Sequence, residues 1–419
     1  MERSSRNSVV SVRSSDSRSN KWAIFAVLSS IYFFVYFHRT SPAVIADEFM
    51  REFAVSALAV GILSSVYFYP YAILQIPVGV LSDTKGPRWT VMIFTLLTFF
   101  GVLTLSLANS YEMAVASRLL IGIGVAGVYV PTIKIISVWF KQNEFATATG
   151  LLFAIGNLGA ILSAYPLALA IELIGWRLSI SFVAAITALL IFLCWKIVRD
   201  APKDYKEEKL QRNDFFLVLG NFSLWLIAIS AMLRYGVVMG FQGLWGGPYL
   251  MDVYGMPKAT AGSILMLIGA GTIVGALIFG RISDLIRLKK IVLIFGGVGF
   301  TISWLPLVIA TSALDFTSIC LISFLMGFFS STGPVAYAIV KDLFPLRMTG
   351  FSTSVVNVFP FFGAALFQTI MGYLMDSVGR IDSVYPAEAY RLSFEFCLLA
   401  SIVSIVCVVF VRENEGVDR

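Results

Sequence analysis

Three basic residues lie inside stretches too apolar to solvate them: His38 and Arg39 late in the first apolar run, and Arg234 in Leu233-Arg-Tyr-Gly236. A charge at membrane depth is costly and is a functional candidate for that reason. Tyr32, Tyr36 and Arg39 follow one another at i, i+4 and i+7, one face of a helix; from Arg234 the same face runs through Val238, Gln242 and Trp245. Neither stretch supplies a carboxylate at comparable depth. An unpaired guanidinium in a low-dielectric cavity favours an anion, and its planar fork matches a carboxylate or a phosphate. Each arginine is therefore either a substrate-binding group or a donor to broken-helix carbonyls and water. His38 is the only histidine in the chain, and its unperturbed pKa of about 6.5 lies in the physiological range. It is either a proton-coupling group sensing the same cavity or a neutral histidine donating one hydrogen bond to a neighbouring helix.

Other chemistries find no support in the residues. The four cysteines, Cys194, Cys320, Cys397 and Cys407, all sit in apolar runs as packing thiols, and no Cys/His cluster exists, so no metal site is expected. No nucleophile with an acid–base pair is visible, so no catalytic residue and no enzyme activity are expected. The nucleotide-binding pattern G-x-x-x-x-G-K-[ST] is missing and no cofactor is implied, which leaves gradients as the energy source. Lys134 and Lys341 either snorkel to the interface, Lys341 pairing with Asp342, or face the cavity and add to its positive field. Asn157, Asn357 and Gln368 need partners in lipid and are expected to face protein or a wet cavity. Small-residue seams run from Gly150 to Gly159 and through Gly363-Ala-Ala, either as sliding surfaces or as static packing.

The elements that position these groups follow from composition. The 419-residue chain is 58% hydrophobic and 13% charged, with mean hydropathy +0.85, far from soluble averages. Twelve apolar stretches, at 22–46, 56–82, 89–108, 113–138, 145–170, 176–198, 215–247, 259–283, 290–311, 316–340, 350–375 and 391–411, each approach the length of a membrane helix. The expected organisation is a disordered basic tail (1–21), six spans (22–198), a polar linker (199–214), six more spans (215–412) and a short tail (413–419). Only Arg51, Arg177, Lys258, Arg380 and Arg391 fall on the side opposite the termini, and Arg39, Arg118 and Arg234 within spans, so the remaining lysines and arginines place both termini in the cytoplasm. The basic excess belongs to a membrane surface, and no nucleic-acid partner is expected.

Between the second and third spans stands Gly79-Val-Leu-Ser-Asp83-Thr-Lys85-Gly86-Pro-Arg88, and between the eighth and ninth Gly280-Arg-Ile-Ser-Asp284-Leu-Ile-Arg287-Leu-Lys289-Lys290. This resembles the loop signature G-x-L-x-D-x-x-G-x-[RK] of the major facilitator superfamily; the second copy lacks the second glycine. Arg118-Leu-Leu-Ile-Gly122-Ile-Gly124 resembles that superfamily's R-x-x-x-G-x-G motif, whose arginine is assigned to proton coupling or to structure. With no intramembrane acid beside it, a structural role is expected for Arg118. The resemblance implies an all-α membrane protein with twelve transmembrane helices in two pseudo-symmetric six-helix bundles, gated at Gly79, Asp83, Gly86, Arg88, Gly280, Asp284 and Arg118. Within it, Tyr36-Phe-His-Arg39 and Leu233-Arg-Tyr-Gly236 look like the first- and seventh-helix arginine segments of organophosphate:phosphate antiporters, which implies a clamp formed by Arg39 and Arg234. The segment Phe241 to Pro248 differs from that branch and is similar to broad sets of bacterial permeases. The expected function is alternating-access transport of a small anionic or zwitterionic solute (an organic phosphate, a carboxylate or a peptide), driven by a proton or solute gradient. A multidrug exporter or a transporter-like receptor is the alternative. A monomer in the bacterial plasma membrane is expected, with Arg39, Arg234, Tyr32, Tyr36, Gln242 and Trp245 on the substrate.

Overall fold

A computed structural model describes residues 2–140, 142–200, 212–286, 288–345, 348–381 and 384–412. Ten helices among them are long and apolar enough to cross a membrane. The longest, Ala148–Ile197, holds two crossings because the chain turns at Gly175, and the run Ala57–Ile73 begins a further one. In chain order the twelve crossings are α1 (Glu2–Thr40), α2 (Ala57–Ser65, Phe68–Ile73 and Gln75–Lys85 end to end), α3 (Pro87–Ser106), α4 (Tyr111–Ala126 and Tyr129–Trp139), α5 (Gln142–Leu162, resuming over 165–174), α6 (176–197), α7 (Phe222–Tyr254), α8 (Lys258–Ile286), α9 (Lys289–Ile309), α10 (Phe316–Ser330 and Gly333–Leu343), α11 (Thr349–Val378) and α12 (Ala387–Val409). The first six form one bundle and the last six another, with matching internal partners: α1 packs on α5 as α7 packs on α11. Large apolar side chains such as Leu285 (82% exposed) and Ile309 (80%) cover the outside. That surface suits lipid and no aqueous solvent.

Two boundaries differ from the sequence reading. The seventh crossing is expected at 215–247 but is shifted to Phe222–Tyr254, because Arg212–Leu219 is a separate short helix and Asn221 caps the new start by accepting from Leu224 N at 3.0 Å. The first crossing continues past Thr40 into a helix at Pro42–Glu52. Its charged residues find partners at the membrane surface, Asp47 with Arg51 at 2.6 Å and Glu48 with Lys258. Of the linker 199–214, residues 201–211 lie outside the described residues, as does the tail 413–419.

The halves meet along two long seams, α2 against α11 and α5 against α8, and where the Pro42–Glu52 helix packs on α7. At the end remote from the termini these seams are closed. A Cβ on Gly61 of α2 would lie 2.6 Å from the Gln368 carbonyl oxygen of α11, and one on Gly372 of α11 would lie 2.6 Å from the Ala57 carbonyl oxygen of α2. A Cβ on Gly262 of α8 would lie 3.0 Å from the carbonyl of Ala164, between the two segments of α5. At the end carrying the termini the same four helices have parted. Nothing lies within 4 Å of the Cβ position at Gly79, Gly150 or Gly280. The molecule is sealed at one end and open at the other.

Candidate substrate site

The opening leads into a cavity of about 1640 Å³ between the two bundles, lined by residues of both. Its charged lining residues, among those described, are Arg39 and Arg234; no Asp, Glu, Lys or His joins them. Tyrosines and amides supply much of the remaining polarity, with Tyr337 donating to Asn357 Oδ1 at 2.8 Å and Asn157 donating to the Phe153 carbonyl at 3.0 Å.

Arg39 stands near the last turn of α1, where the cavity narrows against the sealed end. It is 4% exposed. Its guanidinium lies over the rings of Tyr36 (4.5 Å), Tyr71 (4.8 Å) and Phe361 (5.0 Å), with the hydroxyls of Tyr67, Tyr71 and Tyr235 grouped around it. Nε has no hydrogen-bond partner among the described residues. Ring faces stabilise a desolvated cation by about 2 kcal/mol or more each, but they carry no net charge. The enclosure therefore holds an uncompensated positive charge at the apex of the cavity. Two of its members, Tyr235 of α7 and Phe361 of α11, come from the opposite bundle, so both halves meet on this one group.

Arg234 lines the cavity too, but it is already engaged. Nη1 donates to Thr332 Oγ1 and Nη2 to the Leu293 carbonyl at 3.3 Å, tying α7 to α10 and α9. Neither set of neighbours includes the other arginine, so in this conformation the two do not form one clamp. What α7 brings to Arg39 is Tyr235, one residue further on and about 100° around the helix.

Tyr32, Tyr36 and Gln242 line the cavity as the helical stripes predict. Trp245 does not. It is fully buried and donates from Nε1 to the Gln368 carbonyl at 2.9 Å, within the sealed end. The stripe through Arg234, Val238 and Gln242 assumes an α-helical period, whereas Phe241–Trp245 is a π-helical turn. The extra residue in such a turn swings Trp245 off the face. Gln368 lies beside it, its Nε2 donating to the Met239 carbonyl at 3.1 Å.

His38 points away from the cavity, against Phe34 and Phe37, and its Nε2 has no hydrogen-bond partner among the described residues. Arg118, 1% exposed, donates from Nη1 to the His38 carbonyl at 2.9 Å and stacks over Tyr67 at 5.0 Å, packing α4 against α1 and α2. Of the loop motifs, Gly79 lines the open mouth, and Gly86 and Arg88 dock onto the end of α6, where Asp200 Oδ1 accepts from Arg88 N at 2.8 Å. The side chains of Asp83 and Asp284 lie outside the described residues. Lys134 and Lys341 do not line the cavity, and Asp342 pairs with Lys289 of α9 and not with the adjacent Lys341 as expected. The sequence reading missed Tyr71, Tyr235, Phe361, Tyr337 and Thr332. Only two left a local trace: Tyr235 adjoins Arg234, and Tyr71 follows Tyr67 at i+4.

Comparison with known proteins agrees with this fold. The chain is 24% identical over 421 residues to the uncharacterized transporter YybO of Bacillus subtilis, covering 93% of this chain and 94% of the relative. It is 23% identical to the probable L-galactonate transporter of Escherichia coli, covering 90% and 85%. Among solved structures, a bacterial homolog of the human lysosomal transporter Spinster, in an inward-facing and unoccupied conformation, superposes with a TM-score of 0.78 at 16% identity, covering 95% of this chain and 99% of that one. The model of the Major Facilitator Superfamily matches residues 28–246 and 224–418. This chain is therefore a member of the Major Facilitator Superfamily, a membrane secondary transporter of twelve helices.

Proposed function

We propose that the transported solute is a small organic anion carrying hydroxyl groups, with its acid group held by Arg39. The observation that carries this reading is the buried Arg39 guanidinium, enclosed by aromatic rings and facing a cavity in which no described residue is a carboxylate. An anion supplies the missing charge and takes the free Nε and neighbouring donors as charge-assisted hydrogen bonds. The tyrosine hydroxyls and the amides of Asn157, Asn357 and Gln242 suit a polyhydroxylated body. The galactonate transport named for one relative is consistent with such a solute. With both termini cytoplasmic in a bacterial plasma membrane, the open cavity faces the cytoplasm and the sealed end faces out. Transport then proceeds by parting the sealed seams and closing the open ones around the occupied site, driven by the gradient of the solute or of a coupled ion.

Binding to purified protein tests the class. A thermal-shift panel of sugar acids, short hydroxy acids, sugar phosphates and the corresponding neutral sugars is expected to stabilise the protein with anions and not with neutral sugars. Stabilisation by neutral sugars alone contradicts it. A cation exporter is the less favoured reading, because a cationic solute would meet two arginines and no described acid.

A further inference from the structure

The sealed end is held by something more specific than close packing. Helix α11 ends in Asp376-Ser-Val-Gly379 and α5 ends in Glu172-Leu-Ile-Gly175. Both glycines take positive φ, +87° and +78°, which releases the chain from the helix one turn beyond the acid. The two acids then do the same thing in opposite directions. Asp376, from the second bundle, caps the start of α2 in the first: Oδ1 accepts from Ala57 N at 3.1 Å and Oδ2 from Leu58 N at 2.8 Å. Glu172, from the first bundle, caps the start of α8 in the second, Oε1 accepting from Ala259 N at 2.8 Å.

A helix start leaves its first amides without intrahelical partners and carries partial positive charge, so a carboxylate is the partner it binds best. At α2 the supply is complete: Ser56 takes Ala59 N, and Asp376 takes the two amides between them. Tyr385 reinforces it, its hydroxyl donating to Asp376 Oδ1 at 2.5 Å while accepting from Ala57 N at 3.0 Å. In family terms α2 matches α8 and α5 matches α11, so the caps are related by the pseudo-twofold that relates the bundles. No packing requirement demands that each acid reach across to the other half.

We propose that Asp376 and Glu172 are positioning residues for transport: a matched pair of carboxylate caps that hold the sealed end shut and set how often it opens. Parting the seams exposes Ala57, Leu58 and Ala259 amides and strips both acids of their donors at once. The caps touch neither Arg39 nor the cavity, so they govern the balance between conformations and leave solute contacts intact. The inference rests on membership of the family and on this geometry, and it does not depend on the identity of the solute.

The test uses the full chain in lipid, free of native cysteines, with spin labels at the exposed positions Glu112 and Ser312 near the sealed end. A second pair sits at exposed Thr84 and Leu288 near the open end. Asp376→Asn, which keeps the shape and removes the charge, is expected to shift the ratio towards a longer Glu112–Ser312 separation and a shorter Thr84–Leu288 separation by about tenfold. Glu172→Gln, with one bond at stake, is expected to do so by less, and the two effects to multiply. Asp376→Glu keeps the charge and is expected to fall between wild type and Asp376→Asn. Should Asp376→Asn fail to fold, seen as broadening of both distances, Glu172→Gln decides on the same criterion. Folded amide variants with wild-type distances at both ends overturn the proposal.

Discussion

Replacing Gly150 with leucine should leave stability intact and sharply slow transport. Gly150 lines the open mouth on α5, with nothing within 4 Å of its Cβ position, so in this conformation the new side chain meets no obstacle. Leucine is the better helix former by about 0.7 kcal/mol, so the melting temperature should hold or rise slightly. The other half of the cycle requires α5 and α8 to approach at this end as they already do at the sealed one. There, a Cβ on Gly262 of α8 would lie only 3.0 Å from the Ala164 carbonyl of α5. A leucine in such a seam overpacks it by about 1–3 kcal/mol, which makes the closed form roughly five- to 150-fold rarer. Uptake into proteoliposomes should fall by a comparable factor, while solute binding in detergent, which uses the conformation described here, should be unchanged. Wild-type uptake by Gly150→Leu would refute the claim that this end closes by glycine contact.

Three further outcomes follow from the same geometry. Thr332→Val removes the hydroxyl that accepts from Arg234 and leaves a buried donor unpaired, so thermal unfolding should show a loss of about 1–3 kcal/mol; an unchanged melting temperature would mean that the bond contributes nothing. His38→Gln should keep full gradient-driven accumulation, because the imidazole lies off the cavity against Phe34 and Phe37; loss of acceleration by an inward proton gradient would restore it as a coupling group. Burial first, and then the hydrogen bond to Asp376, raise the Tyr385 phenol above its ordinary pKa near 10. The native state therefore holds this proton more tightly than the unfolded chain, and the stability it confers is complete below about pH 10 and lost as pH rises through the raised value. The sealed-end label distance should accordingly stay constant from about pH 6 to about pH 9 if Tyr385 is the group that titrates; a change inside that window would assign the latch to another group.

The twelve crossings were legible because a bilayer leaves little choice: apolar runs of helix length must be helices, and two loop motifs fixed their kinship. Edges failed where charge interrupts hydropathy without ending the helix. Asp252 is an instance, lying in the last turns of α7 and accepting from Tyr390 at 2.6 Å. Arg39 was legible as a costly charge with no neighbour in sequence to neutralise it. Its enclosure was not. Phe361 reaches it from α11 in the other bundle, and no local spacing encodes an approach across two halves. Trp245 shows the converse failure, a residue placed on the cavity by a regular helical period that a single π-helical turn interrupts. The two capping acids carry no signal in the sequence, since a cap that serves another helix leaves no mark beside it.

Arg39 is the group on which the account turns, and isothermal titration of one binding sugar acid into wild type, Arg39→Lys and Arg39→Ala measures it directly. Loss of a buried charge-assisted pair predicts at least a hundredfold weaker binding in Arg39→Ala, with folding retained. Arg39→Lys should recover only a small part, because an ammonium cannot reproduce the planar fork or its stacking on Tyr36 and Tyr71. Binding by Arg39→Ala within threefold of wild type would contradict the account and leave the arginine as a packing group between the two bundles.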